Sequence, residues 1–321
     1  MGVGNERLVG PDDDGFHAPP EGEWWWHETA WFWFFVPERR LGGWLYNYVR
    51  PNIGVSGGGC WLWDDRSYST LDALYYANYS NLRLPEERDL NDFRFPSGTS
   101  MKTVEPLKRY RLGHVDGEWI HLDLEFDAIM QPWVAAGSDP RPGLHREGQP
   151  QKAHHFDQVG RVTGEIALPG ETLRIDCLAM RDRTWTPRPE RWKIGPVGYT
   201  NAAASSETAF HFSGWEQLRS GYLVLDGVRT GLASGTRRLE RDPEHGYMTR
   251  IFVDGTDTAG RRLEARGTSL SRMAMKIPGV HGVVWTSLVE WSINGSHAWG
   301  EDQDAWPIHA WTSFRREQLA R

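Results

Sequence analysis

Strict alternation of apolar and polar residues is the feature that most restricts how this chain can fold. Over residues 119–129, WIHLDLEFDAI, four apolar side chains alternate with four polar ones: Ile120, Leu122, Leu124 and Phe126 against His121, Asp123, Glu125 and Asp127. Successive side chains of a strand point to opposite faces, so this spacing predicts a half-buried β-strand.

Turn signals divide much of the remaining chain into short strands. Four dipeptides that favour hairpin turns lie beside β-prone residues: Asp116-Gly117, Asp226-Gly227, Asp254-Gly255 and Asn294-Gly295. Residues 161–180 and 247–270 are each predicted to form two strands, the first pair joined at Pro169-Gly170, and residues 282–295 a strand with its turn. Helical signals are few: short turns within 70–93, an ambiguous segment at 205–221 and a helix in the C-terminal SFRREQLAR. The pattern predicts an all-β fold of sandwiches or closed barrels.

One segment rich in proline, glycine, alanine and serine is the best candidate for a linker. It covers residues 183–206. We therefore predict an N-terminal β domain over residues 1–195 and a C-terminal β domain over residues 196–321. A second stretch rich in proline and glycine, residues 137–151, is predicted to be a long loop inside the first domain.

Charge and cysteine content argue against several classes of protein. A net charge of −7 disfavours nucleic acid or an anionic membrane as a partner. The start has no apolar signal-peptide core, and the charge-free run over residues 29–36 is too short to span a bilayer. Cys60 and Cys177 are too few for a disulfide framework and are predicted to be buried thiols. We expect a cytoplasmic protein without a membrane span.

An unusual concentration of tryptophan, 18 in 321 residues, begins early in the chain. Such an excess suits either an aromatic-lined cavity or a stacked β core, because indole is large and its N–H still needs a partner. Trp31, Trp33 and Phe35 share one face of a predicted strand, and Phe32 and Phe34 share the other. A strand that is apolar on both faces is expected to be buried on both.

The following strand, GWLYNYVRPN, carries a mixed set of side chains on one face: Trp44, Tyr46, Tyr48, Arg50 and Asn52. This set suits the wall of a cavity that stacks a flat or greasy ligand and hydrogen-bonds it at one end. A surface ladder of aromatic cross-strand pairs is the alternative. We predict that Trp31, Trp33 or both line a ligand cavity together with Trp44, Tyr46 and Tyr48.

Motifs of several well-known enzyme classes are missing from the sequence. SGGGCW lacks the Lys-Ser/Thr of a phosphate-binding loop, and no dinucleotide fingerprint, G-x-S-x-G elbow or HExxH is present. His154, His155 and Asp157 could hold a metal, but adjacent histidines on a strand point to opposite faces. We therefore predict neither a metal nor an organic cofactor.

Two local clusters are suited to acid–base chemistry instead. The first, HHFDQVGRVTGE, contains His155, and the second, RDRTWTPR, contains Arg181, Asp182, Arg183, Trp185 and Arg188. Asp182 or a neighbouring histidine would move a proton, while an arginine or tyrosine stabilises developing negative charge. The alternative is a structural ion-pair network, above all for Arg183 and Arg188. Glu290, in the apolar strand VVWTSLVEWSI, either has a partner in the site or faces solvent.

These same residues carry a resemblance to a known family. HHFDQVGRVTGEIALPGETLRIDCLAMRDRTWTPR, residues 154–188, resembles a segment of a bacterial family of largely uncharacterised proteins related to the carotenoid hydratase (hydroxyneurosporene synthase) and lipocalin-like superfamily. The strands of ETAWFWFFVPERRLGGWLYNYVRPNIGVSGGG look like that family's opening strands. The likeness covers most of residues 20–310.

The match departs from the family pattern at three positions. Arg183 stands where histidine is common, Thr184 where serine is usual and Thr186 where glycine is usual. If that histidine carries a proton in relatives, this chain has lost it, and we place no catalytic role on residue 183. The resemblance implies two consecutive lipocalin-like β-barrels with a hydrophobic ligand in or between them, and no organic cofactor.

The leading functional hypothesis is a cofactor-independent lyase acting on a bulky aromatic or isoprenoid molecule. The step would be hydration, dehydration or a retro-aldol cleavage such as loss of formaldehyde from a lignin-derived phenol. The alternative is a non-catalytic carrier of a hydrophobic ligand, and a homodimer is one option for the oligomeric state. The candidate catalytic residues are Asp182, His155, Tyr46 and Arg181. The candidate substrate-binding residues are Trp31, Trp33, Trp44, Tyr48, Arg50, Trp185 and Glu290.

Overall fold

A computed structural model describes residues 9–86, 89–134, 155–189, 195–277 and 280–320. Over these ranges the chain forms two antiparallel β structures followed by an α-helix. The strands of the first structure are β1 (Trp26–Val36), β2 (Leu41–Arg50), β3 (Val55–Trp63), β4 (Tyr75–Arg83), β5 (Asp92–Arg94), β6 (Thr99–Glu105), β7 (Arg109–Asp116), β8 (Ile120–Ala128), β9 (His155–Leu168) and β10 (Glu171–Pro187). Those of the second are β11 (Val197–Ala203), β12 (Ala209–Gly214), β13 (Leu218–Leu225), β14 (Val228–Arg241), β15 (Met248–Asp257), β16 (Arg262–Lys276), β17 (Gly282–Ile293) and β18 (Ser296–Pro307).

The N-terminal structure is an open sheet in the order β4-β3-β2-β1-β10-β9-β8-β7-β6-β5. Its two halves, β1–β4 and β5–β10, join where β1 pairs antiparallel with β10. The C-terminal structure is a closed barrel in which β11 to β18 follow one another in order and β18 pairs back with β11. Helix α1 (Ile308–Leu319) packs Trp311 against Trp285 and Trp306 of the barrel.

The prediction of an all-β fold with two consecutive lipocalin-like antiparallel β-barrels is confirmed, the first as a half-barrel sheet and the second as a closed barrel. The strands predicted around residues 119–129, 161–180 and 282–295 are present as β8, β9 with β10, and β17. The ambiguous segment at 205–221 is a pair of strands rather than a helix, and the C-terminal helix is confirmed.

One detail of the sequence prediction was wrong. Asp254-Gly255 does not form a hairpin turn, because both residues pair with β14 and β16 inside strand β15. In the segment predicted to be a linker, residues 183–206, β10 continues to Pro187 and β11 begins at Val197. The division between residues 195 and 196 stays a prediction. The predicted loop at 137–151 lies outside the described residues.

Strand β1 is buried along its whole length, as its apolar character on both faces predicts. One face of β1 and β10 is covered by the N-terminal segment around Asp14, whose carboxylate accepts hydrogen bonds from Tyr110 and Arg181. The other face packs against the outside of the C-terminal barrel, where Trp31 meets Tyr199 at 6.1 Å between ring centroids. We call this contact between the two β structures the seam.

Apolar packing across the seam is continuous. One core cluster contains side chains of the N-terminal sheet, such as Trp33 and Trp44, together with Tyr222, Met273 and Leu288 of the barrel. A separate cluster, with Phe210, Phe212 and Ile251 among its members, fills the barrel interior. The lipocalin-like barrel is therefore packed with its own side chains, and the interface lies outside it.

Both cysteines, Cys60 and Cys177, are buried free thiols, as the sequence predicts. No helix in the described ranges is long and apolar enough to cross a membrane.

Candidate active site

Four neighbouring strands bring one row of side chains to the seam. The antiparallel register sets Tyr46 of β2 opposite Trp31 of β1, Trp31 opposite Asp182 of β10, and Asp182 opposite Asp157 of β9. Directly opposed residues project from the same face of a sheet. Two carboxylates and two aromatic side chains, separated by up to 151 positions in sequence, thus form one line across the sheet.

The next row along the strands adds a histidine and three hydroxyl groups. Here Tyr48, Thr29, Thr184 and His155 oppose one another in turn. His155 approaches Asp157 with Nε2 at 3.0 Å from Oδ1, and its Nδ1 lies 2.7 Å from Oγ1 of Thr184. Both nitrogens of the imidazole are engaged, which fixes the ring between the two rows.

The barrel supplies the opposite wall of this cluster. The hydroxyl of Tyr199, on β11, donates a hydrogen bond to Oδ1 of Asp157. His211, on β12, places Nε2 at 3.7 Å from Oδ2 of the same carboxylate and lies 4.5 Å from Tyr199 between ring centroids. Asp157 therefore holds groups from both β structures and fixes their relative position.

Charges around Asp157 set the protonation of its partners. Burial alone would lower the pKa of His155, but the negative charges of Asp157 and Asp182 outweigh it and raise that pKa to about 9. Burial alone would raise the pKa of Asp157, yet His155 and His211 hold it below its usual range. At neutral pH the arrangement is an imidazolium–carboxylate pair.

Asp182 is in a different state from Asp157, although the two are neighbours. Burial raises the pKa of Asp182 to about 6, and the adjacent charge of Asp157 acts in the same direction. Its Oδ1 is buried without a hydrogen-bond partner, whereas nearly all buried polar atoms in proteins have one. A carboxylate oxygen in this condition is available to a ligand.

Arg188 and Tyr46 lie on the other side of Asp182. Nη1 of Arg188 donates a hydrogen bond of 3.2 Å to the hydroxyl oxygen of Tyr46. Burial raises the pKa of Tyr46 to about 12, so the phenol keeps its proton, and that proton is free to be donated onward. Tyr46 is thus a neutral hydrogen-bond donor polarised by a cation.

Strand β1 presents a succession of unpartnered polar atoms to the seam. Alternate residues carry buried nitrogen or oxygen atoms without a hydrogen-bond partner: both ring nitrogens of His27, Oγ1 of Thr29, and Nε1 of Trp31 and Trp33. A buried group left unpaired costs about 1–3 kcal/mol. Several such groups in succession indicate that this face of β1 contacts water or a ligand.

Other predicted binding residues extend the same wall. Trp44 stacks near Trp61 and donates its indole N–H, at 2.5 Å, to Glu301 of β18. Tyr48 lies beside His27 at 4.8 Å between ring centroids, and Trp33 packs between Phe35 and Trp63. Arg50 lies over the ring of Trp25. These positions agree with a shared face, but whether they line a ligand cavity stays a prediction.

Arg181 and Trp185 project from the opposite face of β10, away from Asp182. Arg181 is paired with the buried Asp14 at 2.9 Å and lies 4.1 Å above the ring of Tyr110. The ring of Trp185 stacks on His17 at 4.0 Å between centroids. The alternation of side chains along a strand explains the separation, because residue 182 points to one face and its odd-numbered neighbours to the other.

Arg183 and Glu290 also lie apart from the cluster at Asp182. Arg183 is bound to Glu28, which agrees with the structural ion-pair network considered for it. Glu290 lies on the outside of the barrel, where its exposed carboxylate contacts His297 at 3.0 Å. Glu290 therefore faces solvent, which is the second of the two alternatives considered for it, and is not part of the site.

A groove of about 440 Å³ opens at the end of the seam distant from His27. Phe35, Leu178 and Trp299 line its apolar part, and Arg161 with Asp176 forms its rim. Phe35 follows Trp31 by four residues, so this groove lies about 13 Å along the strands from Asp182. None of the acid–base cluster described above lines it.

Two groups of the cluster were not predicted from the sequence. Tyr199 and His211 lie in the C-terminal barrel, where no local motif marks them. Alternation offers one signal, since His211 stands between Phe210 and Phe212 in AFHFSG and must face outward if the phenylalanines fill the barrel.

No three His, Cys, Asp or Glu side chains of the described residues are grouped so as to hold a metal ion; His154 lies outside those residues.

Comparison with known proteins identifies the family. The model of the family described as "Domain of unknown function (DUF7064)" matches residues 10–307. The chain belongs to this family. No curated protein matches it by sequence.

Solved structures with the same fold are distant in sequence. An AttH-like protein from Nitrosomonas europaea superposes with a TM-score of 0.55 at 15% identity, covering 95% of this chain and 98% of that one. Kievitone hydratase from Nectria haematococca gives 0.54 at 9% identity over 87% and 88%. CghA, solved with Sch210972, gives 0.53 at 11% identity over 91% and 93%. These structures confirm the fold that the resemblance to the carotenoid hydratase and lipocalin-like superfamily implies.

Proposed function

We propose that this member of the DUF7064 family is a cofactor-independent lyase that acts on a bulky, hydrophobic aromatic or isoprenoid molecule at the seam. The observation that carries the proposal is Asp182: a carboxylate with an unpartnered buried oxygen, beside an imidazolium–carboxylate pair and an aromatic wall. Among the proteins with this fold, one is named a hydratase, which agrees with the proposed reaction class.

In the proposed mechanism Asp182 is the general base. A carboxylate whose pKa is about 6 is mostly ionised at pH 7 and still basic enough to accept a proton from a substrate. The protonated His155 neutralises Asp157, which would otherwise raise the pKa of Asp182 further. His155 is therefore a positioning and charge-balancing residue, because both its nitrogens are already bonded within the cluster.

Tyr46, polarised by Arg188, is the proposed electrophilic partner. In a dehydration Asp182 takes a proton from the carbon next to the carbon–oxygen bond, and Tyr46 donates its proton to the departing hydroxyl. A double bond and one molecule of water result, and hydration is the reverse. In a retro-aldol cleavage Asp182 takes the hydroxyl proton, the carbon–carbon bond breaks to give a carbonyl product, and the protonated Asp182 returns that proton to the remaining carbanion.

The seam walls are suited to holding an unsaturated substrate against these groups. Trp31 and Trp44 meet edge to face at 5.5 Å, and Tyr46 stacks on Trp61 at 5.7 Å. Aromatic faces bind planar rings by stacking and support positive charge that develops on an isoprenoid.

The competing function is a carrier of a hydrophobic ligand. In a carrier with a lipocalin-like barrel the ligand would lie inside the barrel. That interior is occupied by the cluster around Phe210 and Ile251 and by the buried pair Arg237–Asp302, whose shortest N–O distance is 2.6 Å. The cluster of titratable groups at the seam also has no role in carriage.

The test is mass spectrometry of reaction mixtures without added cofactor. Metal-stripped protein is incubated with lignin-type phenolic dimers, steroids and isoprenoid alkenes, and products are scored for gain or loss of water or for loss of formaldehyde. Asp182→Asn is expected to lower the rate by about 10²–10⁴-fold. Glu290→Gln, which alters an exposed carboxylate away from the seam, is the matched control and should leave the rate unchanged.

Two outcomes would overturn the proposal. If no compound is converted while some quench tryptophan fluorescence, the carrier function is preferred. If a compound is converted and Asp182→Asn reacts as fast as the wild type, the lyase site lies elsewhere.

A further inference from the structure

At the end of the seam near the start of β1, a positive charge forms no ion pair with any residue that the structure describes. Arg188 donates one hydrogen bond to Tyr46 and, within the described part of the chain, forms no ion pair with a carboxylate. A guanidinium has five N–H donors, so most of them remain for another acceptor. A half-buried cation in an environment of low dielectric attracts an anion strongly.

Arg50, which lies in the same region, does not supply this unpaired charge. It is engaged in other contacts, including the ring of Trp25 at 5.7 Å. Asp182 is close enough for Arg188 to lower its pKa, but no ion pair joins the two. The single charge of Arg188 is thus the one left for a ligand.

His27 lies beside this cation and is equally unusual. Its side chain is buried, with 1% of the residue exposed, and neither ring nitrogen has a hydrogen-bond partner. Burial, with the charges of Arg188 and Arg50, holds the pKa of His27 well below its usual value, so the ring is neutral. A neutral imidazole offers one N–H donor. Thr29, the next residue on the same face, adds a buried hydroxyl without a partner.

We propose that the substrate is an aromatic carboxylic acid whose carboxylate is held by Arg188, with His27 and Thr29 as neutral hydrogen-bond donors. This inference rests on the proposed function, because it describes a ligand of the same site. The planar guanidinium binds a carboxylate through two parallel N–H bonds. The single positive charge of Arg188 balances the single negative charge of a carboxylate. It would leave one negative charge of a dianionic group unbalanced.

The rows of the sheet fix where this carboxylate lies relative to the reacting atom. His27, Thr29 and Trp31 are successive residues on one face, and Trp31 opposes Asp182. Residues two apart on a strand are separated by about 7 Å. The carboxylate is therefore about 7–13 Å from the atom that meets Asp182, which sets the acid group across an aromatic ring from the reacting carbon.

The test compares each acid with its uncharged counterpart. Calorimetric titration of the Asp182→Asn protein, which binds without turning over, uses para-substituted cinnamic acids and biphenyl-4-carboxylic acids, each beside its primary amide. The acids are expected to bind about 10- to 100-fold more tightly than the amides, as for a hydrogen-bonded charge pair. The preference should weaken as the salt concentration rises.

Variants assign the preference to the proposed groups. In the same background, Arg188→Met should abolish the difference between acid and amide while leaving amide binding unchanged, and Arg188→Lys should retain part of it. His27→Phe should weaken binding of the acid severalfold and leave binding of the amide unchanged. Arg174→Met, which removes an exposed cation from the rim of the distant groove, is the control and should change neither.

Equal affinity for acid and amide would overturn the inference. It would also be overturned if Arg188→Met bound neither the acid nor the amide while keeping the melting temperature of the parent protein. Failure of every acid to bind below about 1 mM would count equally against it. These results are separate from the proposed function. If a neutral substrate is converted in a reaction that depends on Asp182, the proposed lyase function stands and the carboxylate site is rejected. If acids bind tightly but no compound is converted, the carboxylate site stands and the lyase function is rejected.

Discussion

At the scale of single residues, two neighbouring carboxylates differ because their partners differ. Asp157 accepts hydrogen bonds from Tyr199 and His155, which hold its pKa below the usual range. Asp182 has an oxygen without a partner, and burial raises its pKa to about 6. The contrast supports the proposed division of roles, in which Asp157 is an ionised structural group and Asp182 transfers the proton.

The pH dependence of activity follows from these two groups. The base form of Asp182 is present above about pH 6, and the imidazolium of His155 is present below about pH 9. We expect kcat/KM to rise with pH through the lower value and to fall through the upper one, in a bell-shaped profile. A profile that is flat between pH 5 and 7 would contradict the role of Asp182.

The residues of this cluster could be found only in part from the sequence. Asp182, His155 and Tyr46 were selected because each lies in a local pattern of chemically suited neighbours. Arg181 and Trp185 were grouped with Asp182 because they are adjacent in sequence, yet they point to the other face of β10. Tyr199 and His211 were missed because the packing of the barrel on the sheet, which brings them to Asp157, leaves no trace in local spacing.

At the scale of elements, β2 and β3 depend on three consecutive glycines. SGGGCW, which lacks the features of a phosphate-binding loop, forms part of β3. Gly58 has a φ of +95°, and a Cβ there would collide with the carbonyl oxygen of Tyr46. The glycines therefore let β3 approach the strand that carries the aromatic wall.

Gly58→Ala tests this dependence. We expect the substitution to disturb the pairing of β2 with β3, to displace Tyr46 and to lower both thermal stability and activity. Gly54→Ala is the matched control, since Gly54 also has a positive φ, +67°, but faces open space. If both variants lose the same amount of stability, the close approach to Tyr46 is not what requires glycine at position 58.

The N-terminal segment is a second element whose role is testable. Asp14 is buried and accepts hydrogen bonds from Arg181, Tyr110 and the backbone N–H of Leu107. Removing one partner of a buried ion pair leaves the other charge uncompensated, which destabilises a protein by about 3–5 kcal/mol. Asp14→Asn should lower the free energy of unfolding by about this amount in urea titrations.

The exposed pair Arg161–Asp176 is the control for that experiment. Both side chains are largely accessible to solvent, where ion pairs contribute little to stability. Asp176→Asn is expected to leave the unfolding midpoint unchanged. A midpoint that moves equally in the two variants would show that burial of Asp14 is not decisive.

At the scale of the whole molecule, the seam joins the two β structures through one continuous apolar core cluster. Apolar side chains of both structures belong to the same core cluster, and the Trp44–Glu301 hydrogen bond crosses between them. Burial raises the pKa of Glu301 to about 8, so much of this carboxyl remains protonated at neutral pH. The seam thus combines buried apolar side chains with buried titratable groups.

A single unfolding transition is expected from this continuity. Differential scanning calorimetry of the full chain should show one peak whose calorimetric and van't Hoff enthalpies agree. Residues 196–321 expressed alone would expose Met273 and Leu288 and should bind a hydrophobic dye or self-associate. Two resolved transitions, with a soluble isolated barrel that binds no dye, would show that the two structures are independent.

The fold was predictable from the sequence to a larger extent than the arrangement of the two β structures. Alternation and turn dipeptides depend on local geometry, and they identified β8, β9, β10 and β17. The Asp254-Gly255 dipeptide misled because pairing on both sides keeps a strand extended whatever its local preference. Contacts across the seam are long-range and could not be derived from spacing.

The pairing of β1 with β10 also has a consequence for synthesis on the ribosome. The two strands are separated by about 150 residues, and Arg181 binds Asp14 across 167 positions. When β1 leaves the exit tunnel, β2 follows soon and can pair with one edge of it. The other edge of β1 stays unpaired until β10 has emerged as far as Pro187. The aromatic strand is therefore made about 150 residues before it is fully covered, and we expect chaperones to bind it during that interval.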